Sequence, residues 1–337
     1  MIADTRNSFR RAAGRTLLAT LLLAGGCGQL SELVGPAVPG VEREWTALLG
    51  EIRQYERAIG FAPTANFAAL SREQREFLVC GYASQLALPY SYEDPAITWA
   101  DAKSEQDCRL RGRDGDVYFS AVEAWGESQT PVTPAMISGR LDRFIYLVIH
   151  EDCHDQFELP YGVEEALCNL VAYKGMAAFT AEKYGQFTRE NYAALRYADT
   201  QTAIARATIA YYEQLEKLYA RHRRSEISAE ELLRERAVIF KAAERPLGWA
   251  RGDFNNVRLA NHMTYSRHFP LLESVLEKLG SDMARTVAFF ERVDAIKPPR
   301  AAVLARYGIS DEYGVEAVRA YEAAVVETIN AALPKVL

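Results

Sequence analysis

Residues 150–154 read His150-Glu151-Asp152-Cys153-His154, within the longer stretch Arg143 to Leu159, RFIYLVIHEDCHDQFEL. The apolar run Phe144 to Ile149 predicts a helix leading into this pentad. On a helix, positions i and i+4 project from one face a turn apart, so the imidazoles of His150 and His154 can bind the same metal ion. Glu151 is rotated by about 100° from His150 and can reach a water on that ion as a general base. The chemistry that follows is metal-assisted hydrolysis, with Zn2+ as the ion. A catalytic zinc takes three protein ligands and leaves a fourth position to water, so a third ligand must come from nearby.

After His154 the chain turns at Pro160-Tyr161-Gly162 and a second helical pattern begins, Val163-Glu164-Glu165-Ala166-Leu167-Cys168-Asn169. Glu165, eleven residues beyond His154, falls where the first turn of an antiparallel partner helix would carry the third ligand. Glu164 competes for that place, and one of the two serves as ordinary charge compensation at a helix N-terminus. Asn169, one turn after Glu165, is expected to hydrogen-bond a ligand imidazole. Hydrolysis of a peptide also needs a donor for the oxyanion. Tyr265 is the first choice, with His262 and His268 behind it; if 257–268 are helical, His262 and Tyr265 share a face. Glu123 and Glu127 are candidates to hold a substrate amine. Asn255, Asn256 and Arg258 read as structural hydrogen bonders. Cys153 is rotated away from the histidine face and, with Cys168, can clip the two helices together.

The elements that must position these residues are mainly helical. Ser71 with Gln74 makes a capping box before an apolar run ending near Leu88-Pro89, and Ser228 with Glu231 makes another, for a helix ending before Pro246. Thr188 caps 189–223, Ser281 caps 282–295, and 313–332 is alanine-rich. Strand signals cluster in Ile97-Thr98-Trp99 and the alternating segment Asp116 to Trp125, on either side of an Asp114-Gly115 turn signal, which predicts a small antiparallel sheet. The expected fold class is mainly α (α+β): one helical domain over 27–337, its histidine helix packed on a glutamate-bearing helix, with a minor sheet.

The 337 residues carry 45 acidic and 39 basic side chains, a net charge of -6 that argues against nucleic acid as a partner. A glycine-rich phosphate loop and a Gly-x-Ser-x-Gly elbow are both missing from the sequence. Residues 1–26 read as an export signal, with Arg6, Arg10, Arg11 and Arg15 before the short apolar run Thr16 to Ala24. Leu23-Ala24-Gly25-Gly26-Cys27 resembles a bacterial lipobox, with Ala24 where leucine is usual; a plain signal-peptidase cut after Gly26 is the other reading. The resemblance implies that Cys27 is lipidated and becomes the mature N-terminus. The mature chain of 311 residues has a net charge of -9, so acyl chains rather than electrostatic attraction would hold it at a membrane. Gly28 in place of aspartate implies the outer rather than the inner membrane of the bacterial cell envelope, facing the periplasm. Cys80, Cys108, Cys153 and Cys168 then remain for disulfides, with three pairings open.

The helix pair resembles that of the gluzincin zinc peptidases, whose fold is zincin-like. Three stretches are similar to the bacterial family called predicted aminopeptidases: Phe77 to Ala102, Leu141 to Tyr173, and Asn255 to Phe290 with its NNxRLAxxxxY pattern. The chain departs from that family at Glu164, where asparagine is usual, and in a short stretch between Trp99 and Arg140. The resemblance implies a zinc metallopeptidase, aminopeptidase-like, acting on a peptide substrate. The glycine-plus-glutamate exopeptidase motif of better-known aminopeptidases is absent, so the exopeptidase label comes from the family. The alternative is a non-catalytic envelope lipoprotein that keeps the zinc as a structural site or binds peptides without cutting them. A retained Glu151 separates the two, because a structural site has no use for it.

Overall fold

A computed structural model describes residues 39–71, 76–124 and 129–335. Residues 1–26, read above as an export signal, and Cys27, Gln74 and Glu127 lie outside the described residues. The chain divides into a unit of residues 1–46 and a unit of residues 47–337, and the second holds the sheet and every site residue discussed below.

In chain order, α1 (Pro39–Ala58) precedes β1 (Phe77–Ser84), β2 (Thr98–Ala100), α2 (Glu105–Arg111) and β3 (Gly115–Val122). Two helices that lead into the site region, α3 (Pro134–Ser138) and α4 (Leu141–His154), are followed by the long α5 (Tyr161–Tyr184) and α6 (Arg189–Arg223). Then come α7 (Ala229–Ala243), α8 (Asn256–Ser266), α9 (Phe269–Lys278), α10 (Met283–Ile296), α11 (Arg300–Tyr307) and α12 (Val315–Ala332). The class is mainly α, with one small antiparallel sheet.

The sheet has the order β2-β1-β3, with Cys80 opposite both Ala100 and Phe119. Its outer strands are the two segments whose pattern predicts strands, but they do not pair with each other, because β1 lies between them. The central strand is the run that the Ser71–Gln74 spacing assigns to a helix. In Phe77-Leu78-Val79-Cys80-Gly81-Tyr82 the aromatic and β-branched residues Phe77, Val79 and Tyr82 favour a strand, and Gly81 disfavours a helix. Gly81 also admits the Trp99 ring against the backbone, where any Cβ would collide with it. A disulfide from Cys80 to Cys108 ties β1 to α2.

Helix boundaries fixed by caps follow the sequence. Thr188 accepts from the Asn191 N–H at the start of α6, and Ser228 and Glu231 form the reciprocal capping box of α7. At α10 the cap is Asp282, not Ser281, which instead adopts a left-handed conformation. The carboxylate takes the N–H of Arg285 at 3.0 Å.

The centre of the fold is α4 packed on α5, with α5 also against α6, α8 and α9. Phe144, Ile145, Leu147, Val148 and Ile149 are all buried, as is nearly every residue of α4 after its first turn. A helix apolar all round belongs inside a domain. Its second half is different: His150, Glu151 and Asp152 are polar and equally buried. Burying such groups is costly unless they are paired or serve a ligand. Asp152 is paired, receiving the Thr64 hydroxyl at 2.5 Å. The other two face a cleft. Among the described residues no helix is long and apolar enough to cross a membrane.

Candidate metal centre and cleft

Two helical stripes build the cleft. On α4, Tyr146, His150 and His154 recur every four residues; on α5, Tyr161, Glu165, Asn169 and Tyr173 do the same. Four-residue spacing keeps side chains on one face, so packing α4 on α5 brings the two stripes together. The Cys153–Cys168 disulfide, with 5.5 Å between its Cα atoms, joins the helices beside the stripes. All seven stripe residues line a cleft of about 470 Å³, together with side chains from β1, β3, α6, α8 and α9.

His150, His154 and Glu165 converge there, one ligand atom of each lying within 4.8 Å of the others. Glu165 Oε2 stands 3.3 Å from His150 Nε2 and 3.4 Å from His154 Nε2. That oxygen is buried and has hydrogen-bond geometry to neither ring. Two imidazole nitrogens and one carboxylate oxygen around a common point form the donor set of a tetrahedral zinc with a position left for water. The residues present therefore fit a bound zinc ion. Electrostatics agree. Burial alone would push the Glu165 carboxyl up, but His154 and His150 hold it well below the usual carboxylate range. Burial likewise opposes charge on His154, yet Glu165 and Glu164 hold its imidazole well above its ordinary value. The pocket thus favours positive charge beside Glu165.

The adjacent glutamates divide their roles. Glu164 Oε1 meets His154 Nδ1 at 2.9 Å, while its Oε2 accepts the backbone N–H of Leu159 at 2.9 Å. Glu165 alone reaches both Nε2 atoms. Asn169 does not take the contact expected of it: its Oδ1 is occupied by the Tyr146 hydroxyl at 2.6 Å. Asn169 bears on His150 indirectly, because the Tyr146 ring stacks on that imidazole with centroids 5.2 Å apart and planes 25° apart. The surrounding support that spacing assigns to Asn169 thus falls to Glu164 for one histidine and to Tyr146 for the other.

Glu151 lines the same cleft and is buried, which raises its carboxyl against the lowering effect of both histidines. Tyr265 and His262 reach the cleft from α8. Burial and nearby Glu165 hold the Tyr265 hydroxyl well above the usual tyrosine range, so it remains a proton donor at neutral pH. His262 is pushed down to about 4 by burial with help from Arg258, and packs 4.6 Å from the Trp249 ring, so it stays neutral. His268 points elsewhere, to Glu322 at 3.0 Å. Glu123 does line the cleft, but Arg143 holds both of its oxygens, at 2.8 and 3.3 Å. Asn255 caps α8, and Asn256 donates to the Ala87 carbonyl at 2.7 Å, so both serve the scaffold.

Two contributors have no place in the motif-based reading. Tyr161 lines the cleft with its ring centroid 5.9 Å from that of Tyr92, and Arg143 donates to Tyr197 at 3.0 Å while lying over the Tyr146 ring. A signal for Tyr161 exists, since it precedes Glu165 by four residues on one helix face.

A family model described as "Putative aminopeptidase" matches residues 98–303, which include α4, α5 and α8. No curated protein matches the chain, and no solved structure does.

Proposed function

The chain belongs to the family described as "Putative aminopeptidase", and from that premise we propose that it is a zinc-dependent peptidase of gluzincin type. The observation that carries this reading is the convergence of His150, His154 and Glu165 in one cleft with Glu151 and Tyr265. His150, His154 and Glu165 would hold the ion. When bound, zinc supplies a Lewis acid that lowers the pKa of water and polarises a carbonyl. Glu151 accepts a proton from the attacking water and delivers it to the departing amine, so that water adds across the peptide bond. Tyr265 donates to the oxygen on which negative charge develops. Tyr146 and Glu164 keep the two imidazoles in place.

The mature chain, over 27–337, is proposed to work at the periplasmic face of the bacterial outer membrane, anchored by lipid on Cys27. Metabolic labelling with a radioactive fatty acid tests the anchor: Cys27→Ala should lose the label, and an unlabelled wild type would refute it.

Metal analysis tests the site. Wild type should carry about one zinc per chain and His150→Ala close to none; a wild type without zinc overturns the reading. Short peptides with free and blocked N-termini then separate exopeptidase from endopeptidase action.

A further inference from the structure

The turn between α5 and α6 holds an aromatic ring out in solvent. Phe187 is 86% exposed and sits at φ +64°, a left-handed conformation that bulky residues rarely adopt. Hydrogen bonds fix it there. Its N–H donates to Oδ1 of Asn191 at 3.2 Å, and the buried Asn191 amide donates in turn to the Ala177 carbonyl at 3.0 Å and the Thr180 hydroxyl at 3.2 Å. Thr188 is the N-cap of α6, so Phe187 and Tyr192 occupy the N′ and N4 places, whose side chains commonly meet. Tyr192 is 61% exposed as well, and Leu195, one turn on, is 39% exposed. Arg189 and Arg196 are exposed on the same face of α6, and neither forms an ion pair among the described residues. Glu190 is rotated by about 100° off that face, and Asp199, the acid that follows on it, lies about a turn beyond Arg196.

The chain enters its folded unit at this same end. Tyr55 of α1 meets the Phe179 ring of α5 edge-on, with centroids 6.0 Å apart. Glu51, one turn nearer the N-terminus of α1, pairs with Lys183, one turn nearer the C-terminus of α5. The two helices are therefore antiparallel, and Ala47, a further turn back along α1, lies toward the α5–α6 turn. Cys27 precedes Ala47 by twenty residues. A tether from a lipid on Cys27 thus reaches the folded unit at the end that exposes Phe187 and Tyr192.

Aromatic rings flanked by arginines suit the boundary of a bilayer, where rings sit at headgroup level and guanidinium groups meet phosphate. We propose that Phe187, Tyr192 and Leu195, with Arg189 and Arg196, form a membrane-contact surface that seats on the phospholipid holding the anchor. The choice of occupant rests on the lipid-anchor reading of Cys27, whereas the surface itself rests on exposure and helix geometry. Since the mature chain has a net charge of -9, the surface orients the protein and the acyl chains retain it.

The test is photo-cross-linking on vesicles of phosphatidylethanolamine and phosphatidylglycerol. The mature chain is coupled through the Cys27 thiol to a maleimide lipid; Cys80, Cys108, Cys153 and Cys168 are held in disulfides and do not compete. p-Benzoylphenylalanine replaces Phe187 or Tyr192 in turn and, as a control, Leu110, which is 67% exposed on α2. Lipid adducts should form at Phe187 and Tyr192 and not at Leu110. Missing adducts, or equal yields at all three positions, overturn the proposal, as does capture of a second copy of the chain in place of lipid. Arg189→Gln/Arg196→Gln should lower the yield at Phe187 by at least about fivefold, and an unchanged yield overturns the headgroup contact. Because the tether is chemical, a Cys27 that cells leave unlipidated refutes the anchor without deciding the surface, which the adducts decide.

Discussion

Glu164 Oε1 lies 2.9 Å from Nδ1 of His154. A carboxylate can only accept at that contact, so it fixes the imidazole tautomer that presents Nε2 to a metal. Glu164 and Glu165 should therefore fail differently. Glu164→Ala is expected to weaken zinc binding about 10- to 100-fold, the usual cost of losing a partner behind a ligand. Glu165→Ala should remove stoichiometric zinc altogether. Competition with a chromophoric chelator measures both, and the reverse order would exchange the two roles.

The Tyr146 hydroxyl donates to Asn169 at 2.6 Å, and its ring stacks on His150. Tyr146→Phe leaves Asn169 Oδ1 buried without its donor, at a cost of about 1–3 kcal/mol, while keeping the stack. Urea unfolding should show that loss with zinc stoichiometry unchanged. Tyr146→Ala should lower zinc affinity as well.

The Cys153–Cys168 disulfide closes a loop with a sequence separation of 15. For a loop of that size, chain entropy assigns about 3 kcal/mol of stabilisation. The double variant Cys153→Ala/Cys168→Ala should lose a comparable amount, and its zinc affinity should fall because both ligand helices are freed. A variant of unchanged stability would show that packing alone holds α4 on α5.

Glu56 lies behind α4, and its carboxyl is pushed up from 4.5 to about 9, first by burial and then by Asp152. The folded chain therefore keeps a proton that the unfolded chain releases above pH 4.5. The stability associated with this group is fully present below that value and is lost as pH rises toward about 9, by at most about 1.4 kcal/mol per unit. In metal-stripped protein, Glu56→Gln should flatten this dependence. Parallel pH profiles of unfolding for wild type and variant would contradict it.

Local chemistry made much of this structure legible. Thr188 and Ser228 cap their helices where spacing predicts, because a cap needs only residues within one turn. The triad that could hold a metal was legible for the same reason: His150 and His154 share a turn, and Glu165 begins the next helix. Pairing over distance was not. β1 is a strand because β2 and β3 flank it on both edges, partners that its own residues do not announce. Asn169 has the right spacing to serve an imidazole, but a larger donor, Tyr146, reaches it first. The close approach of the Glu322 carboxylate to Gly162 joins residues 160 positions apart and leaves no periodic signature.

The central claim is that Glu151 performs proton transfer in a zinc peptidase, and Glu151→Gln tests it most directly because the shape of the cleft is retained. Zinc content and peptide turnover should be measured on the same preparation. The account predicts wild-type zinc with turnover reduced by at least about 100-fold, the lower range for loss of a general base. Full turnover in a zinc-loaded Glu151→Gln protein would contradict it.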